Sequence, residues 1–280
     1  MREIVRYREL LARLIGRELK VRYKNSTLGF VWSMVQPLFL LVVYAAVFSI
    51  LGTSFADFPL WILCGLLIWN MVSTAVLTAT SSITSNAYLV GKVRFPRAVL
   101  PLSMVGAALV HFFLQMLVFV VLILATRHQV DWTFMWLVPL ALLVSVVVAS
   151  AFALLLSTAN VFSRDTQHLL ELSLLAWFWL TPVIYQYDRL ALWLSDHGVP
   201  AGIFLINPLT SVVIVFQRAF YGRASVPTDD NSGQIINLLP SDGPMWYLRN
   251  LAITGGVGLT LFVLALVMFD RAESRFAESL

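Results

Sequence analysis

Long stretches without a charged residue constrain this chain more than any other feature of its sequence. Uncharged runs occupy 25–56, 58–91, 98–126, 132–163 and 250–269, and a membrane-spanning helix needs roughly 20 mostly apolar residues. Of the 280 residues, 59% are apolar and only 12% are charged, an excess that a soluble domain could not bury. The chain is therefore predicted to be an all-α integral membrane protein, and not a soluble enzyme, a nucleic-acid-binding domain or a disordered chain.

Six transmembrane helices are predicted. They cover about 31–52, 60–82, 100–126, 134–158, 168–187 and 250–269. The fifth is marginal, because few uncharged residues separate Glu171 from Asp188. Segment 199–222 is apolar too, but Asn207-Pro208 interrupts it, and non-helical backbone at membrane depth needs cover from protein or a water-filled cavity. We interpret this segment as an external re-entrant or interfacial helical hairpin, with a seventh span as the alternative.

The distribution of basic residues sets the predicted orientation. With six spans, 14 of the 19 Lys and Arg residues fall on the side that holds both termini, and eight of these lie in residues 1–29. Cytoplasmic segments of membrane proteins carry the excess of basic residues. Both termini are therefore predicted to be cytoplasmic, and residues 188–249 form the longest external segment.

Two cytoplasmic segments combine apolar and basic side chains. In residues 1–29, apolar residues from Ile4 to Tyr23 recur every three or four positions with basic residues on the other faces, the pattern of an amphipathic interface helix. It serves either as a topology anchor or as a helix that holds a cytoplasmic partner or a lipid headgroup. The second segment, 83–101, sets Lys92, Arg94 and Arg97 among Phe95 and other apolar residues, which favours docking to a soluble subunit over a simple tether.

The predicted spans lack the groups that power transport. No Asp, Glu, Lys or Arg lies in their middles, whereas ion-coupled carriers place ionisable groups there. The sequence has no phosphate-binding G-x-x-x-x-G-K-[ST] loop and no metal-ligand cluster, and its single cysteine, Cys64, cannot form an internal disulfide. If the protein moves a substrate, we expect the energy to come from another polypeptide.

Aromatic residues concentrate at the external end of the fifth predicted span, between Trp177 and Tyr187. This cluster indicates either an interfacial aromatic belt or a conduit in which rings pack against the C–H faces of sugars. In a continuous helix Tyr185 would lie close to the same face as Trp177, and Trp179 would point to lipid. For the conduit we predict Trp177 and Tyr185 inside it, Tyr187 at its mouth and Tyr44 on the first span as a partner.

An ordered set of motifs resembles a known family. The stretch 19–38, LKVRYKNSTLGFVWSMVQPL, is similar to the entry to the first span in ABC transporter permeases of the polysaccharide-export type, which handle O-antigen, teichoic acid and capsule. The match continues through KVRFPR at 92–97, LP at 100–101, TPVIY at 181–185 and INPLT at 206–210. The resemblance covers nearly the whole chain in order, although the external segment 223–249 is longer than in many relatives.

The resemblance implies a non-enzymatic transport subunit of the bacterial inner membrane. The permease would form a homodimer with two cytoplasmic ATPase subunits, which bind the ATP and Mg²⁺, while this chain binds no cofactor. A coupling helix in the loop 83–97 would contact the ATPase through Lys92, Arg94, Phe95 and Arg97. The path would lie at the dimer interface, lined mainly by the first and fifth spans, and the substrate would be a polysaccharide on polyprenyl pyrophosphate.

The predicted organisation is a single permease domain over 1–280. Its parts are a cytoplasmic amphipathic helix at 1–29, five spans within 31–187, an external segment with re-entrant helices at 188–249, the sixth span at 250–269 and a cytoplasmic tail at 270–280. The alternatives left open are an ABC exporter of drugs or lipids, an ion-coupled carrier and a membrane-embedded glycosyltransferase.

Overall fold

The computed structural model describes residues 7–23, 32–50, 58–92, 95–222, 225–227 and 235–276. The helices, in chain order, are α1 (Arg8–Tyr23), α2 (Trp32–Ile50), α3 (Phe58–Thr80), α4 (Ser82–Ser85), α5 (Ala87–Lys92), α6 (Val99–Thr126), α7 (Trp132–Met135), α8 (Leu137–Phe162), α9 (Asp165–Leu180), α10 (Tyr187–Asp196), a 3-10 helix (Ala201–Ile206), α11 (Pro208–Phe220) and α12 (Pro244–Glu273). Two three-residue strands, β1 (Ser225–Pro227) and β2 (Ile235–Asn237), pair antiparallel between α11 and α12. The protein is a helical membrane protein, as predicted, and the small hairpin is an addition that the sequence analysis did not foresee.

Four segments of the described chain are long and apolar enough to cross a membrane. They are Phe58–Thr80, Val99–Thr126, Trp132–Phe162 and Pro244–Glu273. They coincide with the second, third, fourth and sixth predicted spans. The first predicted span corresponds to α2, a helix of 19 residues that packs against α3 and α6.

The fifth predicted span is shorter than expected. Helix α9 has 16 residues, about 24 Å at 1.5 Å per residue, and ends at Leu180 rather than near residue 187. The cause is Pro182, because the residue before a proline is driven out of the helical region, and Thr181 has the extended values φ −105° and ψ 132°. The predicted helical relation between Trp177 and Tyr185 is therefore wrong, since Tyr185 lies beyond the end of the helix.

The core is built around α3 and α11. Of the 23 residues of α3, 17 are buried, and all residues from Leu209 to Phe220 in α11 are buried as well. Helix α11 packs against α3, α7, α8 and α12, and its 13 residues extend only about 20 Å, too little to cross the hydrocarbon. It is capped by Asn207, whose side-chain oxygen accepts a hydrogen bond from the Leu209 amide at 3.1 Å.

A second apolar cluster lies at the other end of the bundle, where α5, α6, α8 and α12 meet. We call it the terminal cluster, and its buried members are Ile83, Val90, Ala98, Leu100, Leu154, Val161, Ala265, Leu266, Phe269 and Phe276. Leu14 of α1 and Phe95 pack against it. The amino-terminal helix, the loop before α6 and the end of α12 are thus joined in one packed unit.

Candidate functional site

The predicted coupling residues divide into an exposed and a packed group. Lys92, the last residue of α5, is exposed, and its ammonium donates a hydrogen bond to the Tyr88 hydroxyl at 3.0 Å and lies 4.2 Å from the centre of that ring. Tyr88 is itself 71% exposed. Lys92 and Tyr88 therefore form one projecting aromatic-basic pair, and Tyr88 is a member that the sequence analysis missed. Arg94 lies outside the described residues.

Arg97 and Phe95 are directed toward their own protein. The Arg97 backbone amide donates to the Glu273 carboxylate at 3.1 Å, and the guanidinium donates to the main-chain carbonyl of the same residue. The Arg97 Nε and Glu273 Oε1 atoms are 3.8 Å apart. Phe95 is half-buried against the terminal cluster. These two residues fasten the loop to the end of α12, so a change at Lys92 or Tyr88 perturbs the exposed surface with less effect on the fold.

Trp177 belongs to a hydrogen-bond network that is centred on Asn207 and lies at the end of α9. Its indole nitrogen donates to the Asn207 side-chain oxygen at 2.8 Å, and its carbonyl accepts from the Thr181 hydroxyl at 2.8 Å. The Asn207 amide nitrogen donates to that hydroxyl at 2.9 Å and to the Leu180 carbonyl at 3.1 Å. All four hydrogen-bonding positions of the Asn207 amide are occupied once the cap of α11 is included. The network joins the end of α9 to the start of α11.

The ring of Trp177 faces neighbouring helices. It packs against Trp69 of α3 with centroids 6.2 Å apart and against Phe152 of α8 at 5.2 Å. Trp179, which was expected to point to lipid, is 55% exposed. Within this single chain, Trp177 therefore positions α9 and α11, and the exposed face of α9 carries Trp179 instead.

The two tyrosines after α9 are also held within the protein. The Tyr185 hydroxyl donates to the Trp179 carbonyl at 3.0 Å, and burial raises the pKa of Tyr185 to about 12. Tyr187 begins α10 and is 5% exposed within the single chain. Burial, with a smaller contribution from the charge of Asp188, raises the pKa of Tyr187 to about 12 as well. The side chain of Tyr44 lies outside the described residues.

A carboxylate of raised pKa follows these tyrosines. Burial, and to a smaller extent the neighbouring charge of Asp242, raises the pKa of Asp188 to about 6. Two carboxylates alone do not form a metal site, and within the described ranges no three His, Cys, Asp or Glu side chains come together to hold one.

An ion pair that the sequence analysis did not identify holds the end of α11. Arg218 is 1% exposed, its Nη2 lies 3.3 Å from Asp131 Oδ2, and its guanidinium lies 4.3 Å from the centre of the Phe134 ring. Arg218 lies in the segment 188–249, which the sequence analysis predicts to be external without giving this residue a role. The available signal was a single arginine in the otherwise uncharged stretch 197–222. Its partner is 87 positions away, a separation that no helical periodicity reveals.

The backbone reinforces this junction. The amide of Asp131 donates to the Ala219 carbonyl at 2.9 Å, and the His128 ring nitrogen Nε2 lies 3.0 Å from the Tyr221 carbonyl. The Gln217 amide nitrogen donates to the carbonyls of Pro182 and Val183 at 3.1 and 3.3 Å. The end of α11 is thus tied both to the turn before α7 and to the turn after α9.

Comparison with known proteins gives a consistent result along the whole chain. Residues 9–221 match the ABC-2 type transporter family. The chain is 31% identical over 281 residues to the O-antigen export system permease protein RfbA of Myxococcus xanthus, with 100% of this chain and 98% of that protein aligned. Two proteins of the same name from Klebsiella pneumoniae are 26% and 27% identical over 273 residues, with 97% of this chain and 95% of each relative aligned.

Proposed function

The chain belongs to the ABC-2 type transporter family, as a permease of the polysaccharide-export type, and we propose that it is the membrane subunit of an ATP-driven exporter of a lipid-linked cell-surface polysaccharide. The observation that carries the proposal is similarity to O-antigen export permeases over almost the full length of both chains. O-antigen is accordingly the first candidate substrate, ahead of teichoic acid or capsule. The carrier would be a polyprenyl diphosphate in the cytoplasmic membrane.

In this proposal the bundle has six spans with both termini in the cytoplasm. Helices α2 and α9 would be the two further spans beside the four longer ones. Helix α10, the 3-10 helix and α11 would form the external re-entrant structure, which is supported by the shortness of α11 and by the burial of its residues from Leu209 to Phe220. Burial by neighbouring helices satisfies the requirement that interrupted backbone at membrane depth be covered by protein.

We further propose that two copies associate through α2 and α9. One face of α9 carries large apolar side chains that are more than half exposed in the single chain, namely Leu169, Leu172, Leu175 and Trp179. The polysaccharide path would run along this interface, with Tyr44, Trp177, Tyr185 and Tyr187 at or behind its wall. Trp177 would act by holding α11 in place through Asn207. The surface that faces the path would then include Trp179.

A pair of Trp177 variants separates positioning from lining. Trp177→Phe keeps a ring against Trp69 and Phe152 but removes the indole donor to Asn207. If the residue positions α11, this variant should lose export nearly as much as Trp177→Ala. If the ring itself lines the path, Trp177→Phe should export at close to the parental rate.

The cytoplasmic ATPase subunits, with their ATP and Mg²⁺, would dock on the loop before α6. The exposed pair Tyr88 and Lys92 offers an aromatic anchor and a charge for that contact. Lys92→Glu and Tyr88→Ala should lower export and the amount of co-purified ATPase while membrane insertion is unchanged. The control Arg271→Glu changes an exposed cation predicted to lie on the same side and should have little effect. Normal assembly and export in both loop variants would exclude this docking site.

Stimulation of ATP hydrolysis tests the proposed function and substrate class. The permease and its ATPase, purified together and reconstituted in vesicles, should hydrolyse ATP faster when polyprenyl-diphosphate-linked O-antigen is added. A drug or phospholipid that stimulates hydrolysis when the linked glycan does not would favour a drug or lipid exporter instead.

A further inference from the structure

Helix α1 packs its apolar face, which is half-buried, against the protein itself. A Cβ atom added to Gly106 of α6 would clash with the Ile15 side chain, so the two helices touch at this glycine. Leu14 packs against the terminal cluster. Glu18 and Val21 line a cavity of about 160 Å³ whose other walls are Thr74, Thr78, Met104, Ala107, Ala108 and His111. The face that could have entered lipid is therefore partly covered, mainly by α6 and at the cavity also by α3.

The opposite face of α1 carries a row of cations. Arg13, Arg17 and Lys20 follow one another at helical spacing, and all three are exposed. Within the described part of the chain none of them makes an ion pair, not even Arg13 with Glu9 one turn before it. Because Glu18 is turned toward the inner cavity, its negative charge does not lie in this row.

These cations line a surface groove rather than a flat surface. The groove has a volume of about 450 Å³ and is bordered by Arg13, Gly16, Arg17, Lys20 and Val21. A Cβ atom added to Gly16 would meet nothing within 4 Å, so the middle of the groove is open. We refer to Arg13, Arg17 and Lys20 as the basic row.

The position of α1 along α6 sets the level of the basic row. Gly106 is the eighth residue of α6, about 10 Å from the first at 1.5 Å per residue. In the proposed topology α6 begins at the cytoplasmic surface, and headgroup regions extend only a few ångströms beyond a hydrocarbon core of about 30 Å. Gly106 therefore lies near the inner boundary of the hydrocarbon core, and the long Arg and Lys side chains of the basic row extend from that level toward the headgroups of the inner leaflet.

We propose that the basic row binds the phosphate groups of a lipid headgroup. Two arginine forks one turn apart can each hold phosphate oxygens through paired hydrogen bonds, and a lysine on the next turn adds a point charge. The ligand is either the diphosphate of the polyprenyl-linked glycan or the phosphate of an anionic phospholipid. Only the first of these sources rests on the proposed function.

Binding to the full-length protein in neutral detergent tests this site. The probes are farnesyl diphosphate and phosphatidylglycerol, with phosphatidylcholine as the zwitterionic reference. The triple variant Arg13→Gln, Arg17→Gln, Lys20→Gln should weaken binding of at least one anionic probe tenfold or more. The matched control Arg8→Gln, Arg164→Gln, Arg271→Gln removes three exposed cations outside the groove and should change neither affinity by more than about twofold. Thermal unfolding of both variants checks that the fold is intact.

The two probes identify the source of the phosphate. If the triple variant loses binding of farnesyl diphosphate alone, the basic row is assigned to the glycan carrier. If it loses binding of phosphatidylglycerol, with or without loss of diphosphate binding, the row is assigned to phosphate headgroups in general. Unchanged affinity for both probes overturns the proposal. If, in addition, less ATPase co-purifies with the triple variant, the basic row is a protein interface instead. If the wild-type pair fails to respond to linked glycan, the proposed function fails, and the phosphatidylglycerol measurement still decides the basic row.

Discussion

Removing the negative charge of Asp131 should destabilise the protein measurably. The Asp131→Asn variant keeps the size of the side chain and an oxygen that can accept from the Thr133 amide, which now lies 3.1 Å from Asp131 Oδ1. It takes away the carboxylate that lies 3.3 Å from the guanidinium of Arg218. Because Arg218 is 1% exposed, water cannot replace that counter-charge.

The expected cost follows from the burial of the pair. Breaking a buried ion pair by removing one partner costs about 3–5 kcal/mol, and the 25% exposure of the Asp131 side chain places this case near the lower end. At roughly 2–4 °C per kcal/mol for a chain of this size, the unfolding midpoint should fall by about 6 °C or more. The assay is thermal unfolding of the purified protein in detergent.

A double variant tests the electrostatic reasoning. Arg218→Met together with Asp131→Asn leaves no buried charge, and replacing a buried pair by uncharged groups of similar volume is often close to neutral. The double variant should therefore be more stable than Asp131→Asn alone. A single variant whose midpoint stays within 2 °C of the parent, or a double variant no more stable than the single, would refute this account of Arg218.

Three further perturbations probe close contacts and titration. Gly65→Ala should lower the free energy of unfolding by about 1–3 kcal/mol, because a Cβ there would lie 3.0 Å from backbone atoms of the turn after α9. The control Gly256→Ala lies on an open face and should not lower the unfolding midpoint. Gly106→Val should loosen α1 from α6, measured as faster proteolysis of the amino-terminal helix, and Ile15→Ala should restore protection by making room. The pKa of Asp188 is raised from 3.8 to about 6, so the native state binds its proton more tightly than the unfolded state does. The stability that this group contributes is present at low pH and is lost as pH rises from about 4 to 6. In Asp188→Asn the unfolding midpoint should therefore depend less steeply on pH over that range. An unchanged dependence of the midpoint on pH would exclude Asp188 as its source.

The long uncharged stretches predicted the main helices well. The spans predicted at 60–82 and 100–126 are found as α3 and α6 with ends within about two residues. Helices α8 and α12 extend past their predicted ends because a helix can continue beyond the hydrocarbon, where charged residues are tolerated. The end of the fifth span was predicted too late because its position was taken from the length of the apolar stretch. The effect of Pro182 on the backbone of Thr181 was not considered.

Side-chain roles were harder to predict because they depend on contacts distant in sequence. The aromatic cluster between Trp177 and Tyr187 was visible in the sequence, but the contacts of Trp177 with Trp69, Phe152 and Asn207 were not. The pairing of Arg218 with Asp131 is of the same kind. Composition and periodicity report which face of a helix is apolar, and they do not report which element covers it.

The most direct test of the central claim is surface glycan in cells. In a bacterium that lacks its own O-antigen permease and ATPase, this chain should restore O-antigen at the cell surface when it is expressed with its partner ATPase. An ATPase whose phosphate-binding lysine is replaced should not support that export, although both subunits are still made. Surface glycan is detected by antibody on intact cells, and total lipid-linked glycan is measured in lysates. Accumulation of linked glycan inside cells that contain the functional pair, with none at the surface, would contradict the proposed function.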